Sequence, residues 1–193
     1  MLEEIYVEPN DRYEIIEGVK CMAAAAVYEH NFVAGRFFMF FNNYFEEHRN
    51  GAAFQDVDVC LSDDNTFRPD LSVVCDLDKL GADGKIHGAP DLVVEILSPS
   101  TAKRDFDQKK KIYERSGVKE YWIVDWKAKN IFVHKLIDGA YELDDVYHDY
   151  DENELAALED YERAEVKTEI AVSILPDLNV NIHRVFKTWW KVH

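Results

Sequence analysis

The segment from residue 88 to residue 125 contains the feature that most restricts how this chain can fold. It reads GAPDLVVEILSPSTAKRDFDQKKKIYERSGVKEYWIVD, in which two apolar runs flank one basic stretch. In the first run, DLVVEIL, nearly every residue is apolar, which is typical of a central strand that is covered on both faces of its sheet. Glu95 lies in the middle of this run. Burying a carboxylate there costs several kcal/mol unless a cation or hydrogen-bond donors compensate.

The length of 193 residues predicts one α/β domain spanning residues 1–193. The first residues include acidic side chains and no long apolar run, so they predict neither a secretory signal nor a transit peptide. No apolar run approaches the ~20 residues that span a bilayer. Cys21, Cys60 and Cys75 are odd in number and lack CxxC spacing, which indicates free, buried thiols in a reducing compartment. We therefore expect a cytoplasmic protein that does not enter a membrane.

Hydrophobic periodicity and turn residues predict the elements of this domain. In the first half of the chain we expect a short strand over 12–20 that turns at Glu17-Gly18, a helix over 29–48, a hairpin of strands 53–61 and 67–75, and the Glu95 strand. A helix capped by Ser100 or Thr101 and ended by Gly117 follows, and then strands over 120–124 and 131–137. The last elements are an acidic helix over 151–166 with a capping box at Asp151, a strand over 170–174, and an amphipathic helix over 183–192 containing Trp189 and Trp190.

The charge of the chain is large but unevenly distributed. The net charge is −16, which argues against broad electrostatic capture of nucleic acid. Residues 138–165 contain 12 acidic residues and one arginine, whereas residues 99–135 contain 10 basic and 5 acidic residues. The basic region follows Glu95 directly. An anionic substrate at that carboxylate is therefore compatible with an acidic protein.

Two carboxylates in this part of the chain suggest a metal site. Pro69 favours the first residues of a strand, so Asp70 is expected where the strand begins. Asp70 and Glu95 on neighbouring strands can converge on one divalent cation, since Mg²⁺ prefers one or two carboxylates with water completing its octahedron. A lysine from residues 109–111 could then hold the attacking water or stabilise phosphate charge. This pattern predicts a metal-dependent phosphodiesterase.

The same residues resemble the PD-(D/E)XK nuclease superfamily. More closely, RPDLSVV, GAPDLVVEILSPST, the Asp105-x-x-x-Lys109 spacing, Tyr113 and EYWIVD resemble the putative restriction endonuclease family, formerly known as a domain of unknown function. The resemblance covers residues 13–186, is strong in 68–125, and is weak in the acidic, divergent segment at 138–165. It implies a restriction-endonuclease-like α/β fold, in which helices flank a mixed central sheet.

The resemblance also implies roles for individual residues. Asp70 and Glu95 would be metal ligands, together with the carbonyl of Ile96, and the metal would be Mg²⁺ or Mn²⁺. The superfamily pattern places a lysine two positions after the glutamate, where this chain has Leu97. The matching lysine in this family is Lys109, on the following helix. Lys110 or Lys111 could take its place if the register of that helix differs.

Other interpretations of these residues remain open. Glu95 could pair with Arg104 or Lys109 as a buried structural bridge. Asp91 repeats the Pro-Asp dipeptide, and a turn or cap role is expected for it. His30 could approach the site from the first long helix or be an ordinary surface histidine. Glu17 and Asp58 are weaker candidates of the same kind.

Several other enzyme classes lack their signatures. The chain has no GxSxG elbow, no HExxH or zinc spacing, and no glycine-rich phosphate loop. We therefore expect a Mg²⁺- or Mn²⁺-dependent DNA endonuclease with no other cofactor, in which Asp70, Glu95 and Lys109 are catalytic. The alternative is an inactive nuclease-fold protein that acts as an acidic binding or assembly module, with a basic protein as partner of the acidic segment. A homo-oligomer is expected because cutting both strands of DNA generally needs two sites.

Overall fold

The computed structural model describes residues 13–22, 26–98 and 102–188. Its strands are β1 (Tyr13–Ile16), β2 (Val19–Met22), β3 (Ala52–Phe54), β4 (Val59–Ser62), β5 (Asn65–Phe67), β6 (Leu71–Val74), β7 (Ile86–His87), β8 (Leu92–Ile96), β9 (Glu120–Asp125), β10 (Asn130–Ile137), β11 (Ala140–His148), β12 (Glu169–Ala171) and β13 (Asn179–Asn181). Its helices are α1 (Tyr28–His48), α2 (Ala102–Arg104, then a π-helical Asp105–Lys109, then Lys110–Ser116), α3 (Glu152–Ala157), α4 (Asp160–Glu165) and α5 (Ile182–Phe186), with a short 3₁₀ turn at Leu77–Lys79. The predicted caps Ser100 and Thr101, and the tryptophans Trp189 and Trp190, lie outside the described residues.

The central sheet has six strands in the order β11-β10-β9-β8-β6-β3. Strands β8 and β9 run parallel, and their neighbours pair antiparallel. A second sheet has the order β2-β1-β5-β4-β7, and β12 pairs with β13. The predicted mixed sheet flanked by helices is therefore confirmed. β8, which carries Glu95, lies inside the six-stranded sheet, and all five of its residues are buried.

Side chains along β8 alternate between two cores. Val94 and Ile96 belong to the core beneath α1, where Trp122 contacts the rings of Phe37 and Phe41. Val93 belongs to the opposite core, which α2 covers. Because side chains alternate along a strand, Glu95 faces α2 together with Val93.

Helix α1 matches its predicted range closely. Its buried side chains recur at three- and four-residue steps from His30 through Val33, Phe37 and Phe41 to Tyr44. His30 is thus the first member of the helix face that packs on the sheet. This position brings its ring to the end of β8 rather than to the surface.

The predicted hairpin of strands 53–61 and 67–75 is wrong in one respect, because each of the two runs divides between the two sheets. The first run becomes β3 and β4, separated at Asp56, which has a left-handed backbone with φ 56°. The second run becomes β5 and β6, separated at Pro69 and Asp70. The alternation of apolar and polar residues predicted the extended backbone, but it did not predict that each run passes from one sheet to the other. These passages place Asp70 between the two sheets.

The acidic segment also differs from its prediction. Residues 140–148 form edge strand β11 beside β10, and the predicted helix over 151–166 is two short helices, α3 and α4. The capping box at Asp151 is confirmed, and a second one at Glu159 begins α4. The strand predicted over 170–174 is β12, Glu169–Ala171. Acidic side chains on an exposed edge strand discourage pairing with another chain, so charge there is compatible with β structure.

Helix α2 ends at Gly117, whose left-handed backbone (φ 86°) confirms the predicted C-terminal glycine. The three cysteines are free and half-buried. Among the described residues, no helix combines the length and apolar character that crossing a membrane requires.

Candidate active site

Glu95 is the centre of a buried polar cluster between β8 and α2. Its side chain is 6% exposed, and its Oε1 accepts a hydrogen bond from Lys109 Nζ at 2.9 Å and another from Tyr113 Oη at 2.8 Å. Lys109 and Tyr113 are four residues apart, so α2 presents both on the face that packs on the sheet. The helix thereby supplies the cation and the donor that a carboxylate inside a strand needs.

The π-helical turn of α2 determines which lysine reaches this cluster. Asp105 and Lys109, at the two ends of the turn, are both buried. Lys110 is half-buried, and Lys111 is exposed and pairs with Asp107. Of the three lysines that the sequence left open, the structure brings Lys109 to Glu95. Single π turns inside α-helices are frequent at functional sites, and this one could not be inferred from the sequence.

The second partner of Lys109 is Glu14, which the sequence did not suggest as a site residue. Glu14 Oε1 lies 2.6 Å from Lys109 Nζ, and the side chain is 5% exposed. In β1, Glu14 shares a face with Ile16, which is fully buried. A carboxylate two positions before a core isoleucine was therefore the available signal, since residues i and i+2 of a strand point the same way.

The pKa values of both Glu95 and Lys109 are raised in this cluster, for different reasons. Burial raises the pKa of Glu95 well above its usual value, and the attraction of Lys109 does not offset burial plus the repulsion of Asp105 and Glu14. Burial alone would lower the pKa of Lys109, but the surrounding carboxylates raise it. Lys109 is therefore a permanent cation at neutral pH. The cluster holds more carboxylates than cations.

Asp70 lies beside this cluster, at the end of the sheet. Leu71 pairs with Val94, so one further step of the register places Asp70 opposite Glu95. Asp70 Oδ2 accepts a hydrogen bond from the Ile96 backbone N–H at 2.7 Å. The sequence thus predicted the neighbourhood of the two carboxylates correctly, because both lie where β6 begins and β8 ends.

His30 completes this end of the sheet from the α1 side. Its Nε2 lies 3.2 Å from Asp70 Oδ2 and 3.1 Å from the Ile96 carbonyl oxygen, to which it donates. Burial lowers the pKa of His30, but the hydrogen bond and charge of Asp70 raise it above its usual value overall. One imidazole nitrogen therefore contacts two of the three ligands that the resemblance assigns to a metal, Asp70 and the Ile96 carbonyl.

The donor set fits a hard divalent cation. Two carboxylates and a main-chain carbonyl are oxygen ligands of the kind that Mg²⁺ takes, with several waters kept. Within the described parts of the chain, no three His, Cys, Asp or Glu side chains are close enough to hold a metal by themselves. A metal held here would therefore need the Ile96 carbonyl and water as further ligands, because Glu95 Oε1 is already bonded to Lys109 and Tyr113.

The remaining candidates have other roles. Glu17 lies in the turn after β1 and is 3.5 Å from Arg115 at the surface. Asp58 pairs with Arg68 and Lys85.

Asp91 and Arg104, which were considered as alternatives, have partners other than Glu95. Asp91 accepts bonds from the Cys75 N–H and from Lys119, so it anchors the opposite end of β8. Arg104, considered as a partner of Glu95, instead approaches Glu14 at 3.9 Å.

Comparison with known proteins agrees with this architecture. Residues 1–172 match the family Uma2, described as "Putative restriction endonuclease". Among solved structures, the chain is similar to the crystal structure of a putative nuclease belonging to DUF820 from Anabaena variabilis ATCC 29413, with a TM-score of 0.69 and 21% sequence identity over 94% of this chain and 93% of that one. At this identity the likeness shows the fold. No curated protein matches the chain. Because the family match covers most of the sequence, the chain belongs to the putative restriction endonuclease family.

Proposed function

We propose that this protein is a Mg²⁺- or Mn²⁺-dependent nuclease that hydrolyses phosphodiester bonds in DNA, with Asp70, Glu95 and Lys109 as its catalytic residues. The observation that carries the proposal is the position of the buried Lys109–Glu95 pair, which lies next to Asp70 at one end of the central strand. Because Lys109 reaches Glu95 from helix α2, the site contains a lysine although residue 97 is leucine.

Asp70 Oδ2, the Ile96 carbonyl and Glu95 would hold the metal. When bound, the metal would act as a Lewis acid toward the scissile phosphate and lower the pKa of a coordinated water. Asp70 is fixed for this task because its Oδ2 is hydrogen-bonded to the Ile96 N–H. The excess of buried carboxylates around Lys109 also favours a further cation in this region.

His30 could join Asp70 and the Ile96 carbonyl as a ligand once Nε2, which donates a hydrogen bond in this structure, has lost its proton. Adjacent ligands of an octahedral ion with bonds of 2.0–2.1 Å are about 3 Å apart. The distances of 3.2 Å and 3.1 Å from His30 Nε2 to Asp70 Oδ2 and to the Ile96 oxygen fit that spacing. An imidazole suits transition metals better than Mg²⁺, so we expect this site to prefer Mn²⁺.

Lys109 acts as a cationic hydrogen-bond donor. Because its pKa is raised, it does not serve as a general base at neutral pH. An ammonium has three donors, and two of them bond to Glu14 and Glu95. Asp105 Oδ1, at 3.8 Å, is too distant for a hydrogen bond to the third. That donor can orient the attacking water or stabilise the charge that develops on the phosphate.

The test is cleavage of plasmid and single-stranded DNA in Mn²⁺ and in Mg²⁺ by the wild type and by the Asp70→Ala and Glu95→Ala variants. We expect metal-dependent cleavage that both substitutions abolish. Cleavage that persists unchanged in both variants would contradict the assigned site. Its absence from the wild type under every metal condition would favour the alternative, a nuclease fold that uses its exposed acidic segment for binding or assembly. Cutting both strands needs two sites, so sedimentation of the wild type should show a homo-oligomer.

A further inference from the structure

The structure suggests how a lysine can function after moving from the strand to a helix. A lysine two residues after Glu95 would share its face of β8, and the strand would fix its direction. Lys109 instead reaches the site from α2 through a flexible four-carbon stem, which can adopt many rotamers. One hydrogen bond to Glu95 leaves such a group free to rotate about that contact. A second anchor is therefore needed.

Glu14 is placed to be that anchor. We infer that Glu14 is the positioning residue that holds the Lys109 ammonium against Glu95, an inference that rests on the proposed nuclease function. Its Oε1 makes the shorter of the two bonds to Lys109, 2.6 Å against 2.9 Å for Glu95. Glu14 belongs to the five-stranded sheet and Glu95 to the six-stranded sheet. The ammonium is thus fixed between two acceptors on separate sheets.

Contacts other than the one with Lys109 also fix the position of the Glu14 side chain. The same Oε1 accepts the Arg68 backbone N–H at 3.0 Å, and Arg104 lies 3.9 Å from Oε2. Arg68 precedes Pro69 and Asp70, so the backbone that fixes Glu14 leads directly to the proposed metal ligand. A group supported in this way keeps its geometry without reorganisation during the reaction.

A structural carboxylate of the same design offers a matched control. Asp91 also joins a backbone N–H, that of Cys75 at 2.8 Å, to a lysine, Lys119 at 2.7 Å. It is as buried as Glu14 but binds at the other end of β8. Loss of either carboxylate removes a backbone anchor and an ion pair, and only one of them contacts the proposed catalytic lysine.

The experiment is a double-mutant cycle of Glu14→Ala and Lys109→Met, measured as single-strand cleavage in Mn²⁺. In the wild-type background, Glu14→Ala should lower kcat about 10- to 100-fold with little change in KM, the range found when a supporting partner of an active-site group is lost. In the Lys109→Met background it should change kcat less than about twofold, because the coupling partner is absent. Glu14→Gln retains an acceptor and should recover part of the loss. Asp91→Ala should lower the melting temperature similarly and leave kcat unchanged.

A second measurement keeps the inference separate from the nuclease proposal. The side-chain ammonium of Lys109, assigned with Lys109→Arg, should give a slowly exchanging NMR signal in the wild type, and Glu14→Ala should broaden or abolish it. Equal losses of kcat in both backgrounds, or an ammonium signal unaffected by Glu14→Ala, would overturn the positioning role. A wild type that does not cleave DNA would overturn the nuclease proposal, while the NMR signal would still decide the role of Glu14.

Discussion

The two ends of strand β8 carry the same dipeptide motif and differ in what surrounds it. Pro69-Asp70 precedes β6 and Pro90-Asp91 precedes β8, and the two strands are antiparallel. Each aspartate accepts a backbone N–H from the far end of the other strand, Ile96 for Asp70 and Cys75 for Asp91. The two arrangements are related by an approximate two-fold rotation, so the local backbone role of the two aspartates is the same.

The two ends of β8 differ in the residues that surround each aspartate. Asp91 is neutralised by Lys119, which forms a bond of 2.7 Å. Asp70 instead lies next to Glu95, a second carboxylate whose own charge is only partly offset by Lys109. A backbone-anchoring aspartate becomes a candidate metal ligand only where another carboxylate and a carbonyl converge with it. The Pro-Asp dipeptide therefore places the aspartate side chain, and the surrounding residues of the fold determine its chemistry.

The largest expected difference between the two ends is in catalysis. Asp70→Asn should lower DNA cleavage in Mn²⁺ by about a hundredfold or more, the effect of losing one charge-stabilising group in an active site. Asp91→Asn should leave the rate nearly unchanged. Plasmid nicking measures both. Similar rates for the two variants would mean that the ends are functionally equivalent, which would remove the basis of the comparison.

The lysines at the two ends should differ almost as strongly. Lys109→Met removes the buried cation beside Glu95 and should reduce kcat by about 10- to 100-fold. Lys119→Met removes the partner of Asp91 and should not affect kcat, because Lys119 lies at the far end of the strand. Single-turnover cleavage at saturating DNA measures the chemical step directly. A loss of activity in Lys119→Met that matched Lys109→Met would contradict the assignment.

A smaller effect is expected from His30, which contacts Asp70 and has no counterpart at Asp91 in the part of the chain that the structure describes. His30→Ala should weaken Mn²⁺ binding about tenfold, as loss of one ligand or close supporting group does. Mg²⁺ binding should change less, because an imidazole contributes little to Mg²⁺ affinity. Titration calorimetry with each metal provides the test. Unchanged or tighter Mn²⁺ binding would show that His30 is not a ligand.

The free energy of unfolding should change in the opposite way, with the larger loss of stability at the Asp91 end of β8. Asp91→Asn should lower the free energy of unfolding by about 1–3 kcal/mol at pH 7, since a neutral amide replaces the carboxylate and the charge-assisted bond to Lys119 is lost. Burial opposes ionisation of Asp91, but Lys119 and the Cys75 N–H lower its pKa below the unfolded value. Its contribution is therefore present at neutral pH and is lost as the pH falls below about 4 through the folded pKa.

Glu95→Gln is the matched substitution at the other end. Because burial raises the pKa of Glu95 in the folded protein, ionisation of Glu95 above its unfolded pKa destabilises the fold, and Glu95→Gln should raise the melting temperature. Chemical denaturation of both variants at pH 4 and pH 7 distinguishes them. A strongly destabilised Glu95→Gln would favour the interpretation of Glu95 as a structural bridge with Lys109.

Local patterns predicted the elements well where periodicity was strong. The buried strand at 92–96, helix α1 and the glycine that ends α2 agree with their sequence signals. The crossings at Asp56 and Pro69 could not be predicted, because an extended run has the same alternation whether it stays in one sheet or passes to another. Strand β11 was missed since its acidic composition is unfavourable for a strand unless one face is left in solvent, as it is at a sheet edge.

The site was predictable only in part for a similar reason. Asp70 and Glu95 could be proposed as a pair because a proline and an apolar run mark them in the sequence, and the structure places them on neighbouring strands. Glu14 and the choice of Lys109 depend on the approach of two sheets and on a π turn, which are tertiary features. The hydrogen bonds from Lys109 to Glu14 and Glu95 join residues on separate elements, so no local signal in the sequence indicates them, whereas the longer 3.8 Å pair with Asp105 is local.

The most direct measurement is anomalous X-ray diffraction from crystals of the wild-type protein soaked in Mn²⁺. We expect one strong anomalous peak at the Asp70 end of β8, within bonding distance of Asp70 Oδ2 and the Ile96 carbonyl and in contact with Glu95. The Asp91 end should show none. A peak confined to the acidic segment, or no peak near Asp70 under conditions in which the protein cleaves DNA, would contradict the proposed metal site.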